Sequence, residues 1–293
     1  MKVFKFGGAS VRDAQGIRNL KDVVAREAGD LCVVVSAMGK TTNALERVVN
    51  ALWLREAGQV EREWQLIRDY HESVCRDLGL RMQFDVPAAN ATMESYDELY
   101  DQIVSWGELF STRIVSAYLS ACGFPNTWLD MTALLRTDGV FRAANIDFDT
   151  SEKLLREAFL TSADTRIRVL QGFIGGMADG RHTTLGREGS DYSAAVVANL
   201  LDAESVTIWK DVPGILTADP RKNRSAALIA ELNYADASRL AASGAQIIHS
   251  KTIGPLEEKD IPLHVRPFKH PWEKGTVICR TARPVQVQVD WSK

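Results

Sequence analysis

Residues 3–35, VFKFGGASVRDAQGIRNLKDVVAREAGDLCVVV, decide the fold class. The apolar run Val3 to Phe6 stops at Gly7-Gly8, which reads as a strand entering a tight turn, since glycine reaches backbone conformations barred to other residues. From Gly16 to Ala28 the apolar residues Ile17, Leu20, Val23 and Val24 recur at spacings of three and four, the mark of an amphipathic helix. Leu31 to Val35 follows as a buried strand. A strand, a helix and a second strand in this order imply a parallel pair, because a parallel connection needs a helix-length crossover.

The alternation continues outward. Helical patterns dominate from Thr42 to Cys122, interrupted near Pro87, before a short strand at Thr127 to Leu129. The second half reads as a strand at Arg168 to Ile174, a polar Gly-rich loop at Gly175 to Gly189, a helix at Asp191 to Leu201 and a strand at Ser205 to Trp209. A helix over Tyr234 to Ala245 and strands near Leu263 to Arg266, Thr276 to Arg280 and Val285 to Val289 complete it. The expected class is α/β, a mostly parallel central sheet between helices, with ligands beyond the carboxyl ends of the strands, where the Gly-rich turns fall.

Composition narrows the function. With 293 residues and 45% hydrophobic content the chain can bury a large core. A net charge of −3 and a pI near 6.0 leave no basic footprint for nucleic acid. Cys32, Cys75, Cys122 and Cys279 lie far apart without metal-ligand spacing, which argues against a zinc site or a disulfide framework and fits a reducing cytoplasm. No run of 18 apolar residues and no leader-like N-terminus points to a membrane.

Four segments could carry chemistry. Gly39-Lys40-Thr41 is not a P-loop, because Val34, inside a buried strand, stands where that motif needs its first glycine; no G-x-G-x-x-G follows a strand either. In Lys5 to Ser10 a lysine ends a strand and two glycines let backbone N–H groups approach an anion, though a plain strand-turn-helix reads the same way. Ser36 to Asn43 is a loop of small and hydroxylated residues in which Thr41 or Thr42 could simply cap a helix. The loop Gly172 to Gly189, holding Arg181 and Arg187 and leading into Ser190-Asp191, is long enough to suggest binding. Trp209 to Arg221 reads by composition as a strand and two proline-punctuated turns.

Together these segments resemble the aspartate kinases of the amino-acid kinase superfamily. The family's K-F-G-G-T-S is matched by Lys5 to Ser10 with Ala9 for Thr, its G-E-x-x-S by Gly107 to Ser111, its T-T-L-G-R-G-G-S-D by Thr183 to Asp191, its D-V-P-G by Asp211 to Gly214 and its D-P-R by Asp219 to Arg221. The resemblance implies an N-terminal lobe, residues 1–190, that binds aspartate and a C-terminal lobe, residues 191–293, that binds nucleotide. It implies catalytic roles for Lys5 and Asp191 and aspartate contacts from Ser36, Thr42, Glu108, Arg187 and Ser190. ATP, with Mg²⁺, would be met by Lys5, Phe6, Gly7, Gly8, Ser10, Lys210, Asp211, Leu216, Arg221, Gln246 and Ile247, with no protein metal ligands. It also implies L-aspartate and ATP as partners, a homodimer and a cytoplasmic location. Glutamate or acetylglutamate kinase-like activity, or a silent ATP or aspartate sensor, are the alternatives.

Three departures stand out. Glu188 replaces a glycine of R-G-G-S-D, Lys210 replaces the threonine of T-D-V-P-G, and Gln246 replaces the lysine of G-A-K-V-L-H-P. The expectation is that Lys210 supplies the charge that Gln246 lacks. Leu216 replaces an aromatic residue common after D-V-P-G-I, which weakens any stacking on adenine. The family's C-terminal ACT domains have no counterpart before Lys293, so inhibition by a pathway amino acid through such a domain is not expected of these residues.

Overall fold

The computed structural model describes residues 1–85, 93–219, 223, 225–242 and 248–282. Strand β1 (Lys2–Phe6) leads through α1 (Ala14–Val24) to β2 (Leu31–Val35). Asp13 starts α1 by accepting a 2.8 Å hydrogen bond from the Gly16 N–H, which satisfies one of the orphan amides of the first turn. Its apolar stripe, Ile17, Leu20, Val23 and Val24, is buried. The helix stops short of the expected Ala28 because residues 25–28 are largely exposed and bury no apolar side chain.

Helices α2 (Thr41–Trp53), α3 (Ala57–Asp77), α4 (Tyr96–Val104) and α5 (Trp106–Ala121) precede β3 (Asn126–Leu129). After them come α6 (Met131–Leu134), α7 (Phe148–Thr161) and β4 (Ile167–Gln171), then a hairpin of β5 (Ile174–Gly176) and β6 (His182–Thr184). The remainder is α8 (Gly189–Leu200), β7 (Ser205–Lys210), β8 (Glu231–Leu232), α9 (Tyr234–Ala242), α10 (Ser250–Glu258), β9 (Leu263–Pro267) and β10 (Thr276–Ile278).

Eight strands form one sheet in the order β3-β4-β2-β1-β7-β9-β10-β8. All neighbours are parallel except β9 and β10. The α/β class with a mostly parallel sheet is therefore observed. The first six positions run β3-β4-β2-β1 from residues 1–190 and β7-β9 from the later ones, so α8 opens the second half of the sheet.

Strand alternation divides the core. Val3, Cys32, Val34, Leu170, Val206 and Ile208 face α8, whereas Phe4, Phe6, Val33, Val35 and Val169 face α1, α2 and α5. Ala194, Ala195 and Ala198 are fully buried on α8, and their small side chains let the helix lie close on the sheet. Lys5, two residues after Val3, belongs to the α8 face and so meets the first turn of that helix.

Two readings of the chain need correction. The strand expected from Arg168 to Ile174 ends at Gln171, because Phe173 adopts a left-handed φ of 69° that breaks the pleat. The expected loop Gly175 to Gly189 contains the β5–β6 hairpin, whose Ile174 pairs with Thr184; a Cβ on Gly175 would sit 2.7 Å from the Leu135 carbonyl oxygen, so only glycine fits against the end of α6. Helices α7 and α10 and the two-residue β8 were not legible: α7 buries only Ser151 and Leu155, and α10 contains Pro255. The expected break near Pro87, the end of the Tyr234 to Ala245 helix and the Val285 to Val289 strand lie outside the described residues.

Leu170, fully buried in β4, tests this packing. L170A is expected to cost about 2–5 kcal/mol, read as a lower urea midpoint with an unchanged m-value.

Candidate active site

The carboxyl ends of β1, β2 and β4 open into a cleft of about 420 Å³. Its floor is a buried ion cluster. Lys5 places its Nζ 2.6 Å from Asp191 Oδ1, and Lys210, at the end of neighbouring β7, places its Nζ 3.2 Å from Oδ2. Asp191 is 1% exposed. Burial alone would push its carboxyl up, but the two ammonium groups outweigh that and hold it below the usual carboxylate range. One buried carboxylate thus fixes two cations side by side.

Two backbone loops lean over that cluster. Gly39 N–H donates to the Gly8 carbonyl at 2.9 Å, and a Cβ on Gly8 would lie 2.5 Å from the Ala37 carbonyl oxygen. Only a bare backbone at residue 8 allows the contact. The loop after β2 is held from behind by α5: Ala37 N–H donates to Glu108 Oε1 at 3.0 Å, and Ser111 Oγ donates to the Ser36 carbonyl at 2.8 Å. The helix-cap reading of this loop fails, because Lys40 is the N-cap of α2 without a side-chain bond and Thr41 Oγ1 instead donates to the Met38 carbonyl at 2.7 Å. Thr42 is thereby left facing the cleft.

Glu108 is 2% exposed, and its Oε2 has no hydrogen-bond partner among the described residues. Burial pushes its carboxyl up to about 8 against the opposing pull of the Ala37 N–H. An unpartnered acid oxygen aligned with a cleft is suited to a cation or an ammonium donor. The opposite wall is the segment Gly186 to Asp191. Glu188 there has φ 57° and forms the N-cap of α8 without a side-chain bond, a left-handed residue where glycine would be unstrained.

Of the residues expected at the site, Lys5, Gly8, Ser36, Thr42, Glu108, Arg187, Ser190 and Asp191 line this one cleft. Gly7 lies beneath the Lys5 ammonium, 3.7 Å from its notional Cβ. The ring of Phe6 is fully buried and stacks on Trp209 with centroids 6.3 Å apart, which leaves its backbone to meet a ligand. Asp211 and Ser10 line a separate recess of about 140 Å³ with Arg12, Asp13, Phe268 and Lys269. Leu216 is buried and bridges to Leu228. Arg221, Gln246 and Ile247 lie outside the described residues. Sequence reasoning missed Tyr100, Arg142, Phe173 and Thr184, which also line the cleft. Phe173 and Thr184 fell within the Gly172 to Gly189 loop; Tyr100 and Arg142 carried no local signal.

A model of the amino acid kinase family matches residues 1–267. The chain belongs to the amino acid kinase family. It is 35% identical over 294 residues to the lysine-sensitive aspartokinase 3 of Escherichia coli, covering 96% of this chain and 65% of that protein. The aspartokinase of Chlamydia trachomatis is 31% identical over 94% of this chain and 64% of its own length. Among solved structures, E. coli aspartokinase III in complex with aspartate and ADP superposes with a TM-score of 0.85 at 32% identity over 97% of this chain and 65% of that one. The UMP kinase of Bacillus anthracis, at 13% identity and a TM-score of 0.55, shares the fold alone. The chain thus spans about two thirds of the length of these aspartokinases. No described helix is long and apolar enough to cross a membrane.

Because folding raises the Glu108 pKa, the unfolded chain ionises first as pH climbs. The contribution of this residue to stability is full below the ordinary glutamate range and is lost as pH rises toward about 8. Urea unfolding at pH 5, 6.5 and 8 is expected to show wild type losing stability relative to E108Q across that window; a constant difference would mean an ordinary glutamate.

Proposed function

We propose that this chain is an aspartate kinase, transferring the γ-phosphoryl group of ATP to the side-chain carboxylate of L-aspartate to give 4-phospho-L-aspartate and ADP. The observation that carries the reading is the Lys5–Asp191–Lys210 cluster at the foot of a cleft whose wall holds Glu108 with an unpartnered oxygen. The relative solved with aspartate and ADP shares this fold over nearly the whole chain.

The chemistry asks for cations more than for a base. A carboxylate nucleophile arrives ionised at neutral pH, so no proton need be removed. The obstacle is repulsion: a carboxylate about 4 Å from each phosphate charge costs roughly 4 kcal/mol per pair at an effective dielectric of 20. Lys5 and Lys210, held by Asp191, would offset that cost as charge spreads over the transferring oxygens. The backbone around Gly7, Gly8 and Gly39 offers close approach to phosphate oxygens.

Glu108 would accept the ammonium of the acceptor, and Arg187 with Ser190 and Thr42 would bind its non-reacting carboxylate. This favours a free amino acid over acetylglutamate, whose nitrogen is uncharged. Mg²⁺ carried by the phosphates would neutralise part of their charge. Asp211, Ser10 and Leu216 would serve the nucleotide from the β7 side. A two-lobe division at residue 190, a homodimer, a cytoplasmic location and a place at the head of lysine, threonine and methionine synthesis belong to the same proposal.

Hydroxylamine traps acyl phosphates as coloured hydroxamates. Signal is expected with aspartate and not with glutamate or acetylglutamate; ATP binding without hydroxamate from any acceptor would favour a sensor. K5M should lower kcat by roughly 10²–10³-fold, the range for removing one oriented donor, with the fold retained by circular dichroism.

The charge at position 210 is tested separately. K210M is expected to lower turnover or the affinity for ATP, and adding Q246K to K210M to restore part of the loss. Unchanged kinetics in K210M would end the idea that Lys210 does the work expected at 246.

A further inference from the structure

Among the described residues six non-glycine residues have positive φ, and three of them, Arg142, Phe173 and Glu188, line the one cleft. Left-handed backbone at a non-glycine residue persists only where its surroundings over-determine it, and such residues gather at functional sites. Arg142 has a φ of 65° and is held at its backbone. Its N–H donates to Asp101 Oδ2 at 2.9 Å. The same carboxylate takes the Thr184 N–H at 2.8 Å and the Thr184 hydroxyl at 2.7 Å. Asp101 is fully buried, so an anion is spent inside the protein on fixing two cleft-lining residues.

The side chain of Arg142 is held as well. Its guanidinium lies over the Tyr100 ring, 4.3 Å from the centroid, and Nη1 donates to Asp97 Oδ1 at 3.0 Å. Among the described residues no hydrogen bond engages Nε or Nη2, so donors of a fixed planar fork remain open at the cleft. The Asp97 pair is exposed on both sides and can exchange for a ligand at little cost. Arg142 also adjoins Arg187: a Cβ on Gly186 would lie 2.9 Å from the Arg142 carbonyl oxygen, so the two segments touch backbone to backbone.

We infer that Arg142 is a second guanidinium of the acceptor site, binding the non-reacting carboxylate of the amino-acid acceptor beside Arg187, with Asp101 as its positioning residue. The inference rests on the aspartate kinase reading. With Lys5 and Lys210 engaged at the reacting carboxylate and the phosphates, the other carboxylate needs cations of its own, and two adjacent guanidinium groups supply them without drawing on the Asp191 cluster.

The variants are R142M, R142G and R142K, with D101A and D101N, assayed by hydroxamate kinetics and by calorimetric titration of aspartate into the full chain. R142M and R142G are expected to raise the KM for aspartate about 10-fold or more, with the KM for ATP unchanged. R142K, lacking the planar fork, should fall between. R142G relieves the left-handed backbone and should keep or raise the Tm, so a lost fold cannot mimic the effect. D101A should raise the aspartate KM while D101N, which keeps an acceptor oxygen for the N–H groups, restores most of it; a merely structural role would shift Tm and both KM values together. An unchanged aspartate KM and calorimetric affinity in R142M, from a chain whose wild type makes the hydroxamate, overturns the inference and leaves the kinase reading standing. A wild type that neither binds aspartate nor makes hydroxamate overturns both.

Discussion

Asp191 is the constraint on which the rest of the site depends. A carboxylate that is 1% exposed is tolerable only because Lys5 and Lys210 meet its two oxygens. The arrangement works in reverse as well, since without Asp191 two ammonium groups would be forced together in a poorly hydrated place. The sheet makes the meeting possible. β1 and β7 are parallel neighbours, with Lys5 opposite Ile208, so both lysines arrive at the same end of the sheet as the start of α8. An antiparallel β7 would deliver Lys210 to the far edge.

Around that cluster the fold spends small residues to bring backbones together and spends buried polar groups to hold them. Gly8 against Ala37, Gly172 against Ser190 and Gly189 against Phe173 are contacts that a Cβ would block. Glu108, Ser111 and Asp101 then tie the approaching loops to α5 and α4. The consequence is a cleft whose walls come from five separate stretches of chain. Its chemistry is correspondingly mixed: a carboxyl oxygen left unpartnered at Glu108, open guanidinium donors at Arg142, and paired ammonium groups at the floor.

Much of this was legible. The order and parallel pairing of β1 and β2 follow from residues 3–35, because an apolar run, a 3.6-period stripe and a second apolar run leave one economical arrangement. The family resemblance implied Lys5, Gly8, Thr42, Glu108, Arg187 and Asp191, and these do converge. What failed was tertiary in origin. The β5–β6 hairpin looks like a polar loop because, Ile174 apart, its strand residues are glycine, histidine and threonine, and it exists because α6 and α4 supply contacts and hydrogen bonds. The ring of Phe6 sits in the motif yet faces the aromatic core, since strand alternation turns it away from Lys5.

The sequence by itself determined the fold class and the polarity of the central strands, because periodicity and glycine turns act over a few residues, and the motifs of its family resemblance implied Lys5 and Asp191 at the floor of the cleft. Only the tertiary structure decided that Lys210 shares a carboxylate with Lys5, that Glu108 keeps one oxygen unpartnered, and that Arg142 joins the cleft at all. Those facts depend on which strands become neighbours and on which groups burial removes from water. Distances along the chain of 41 residues between Asp101 and Arg142 and 83 between Asp101 and Thr184 carry no local trace of the contact.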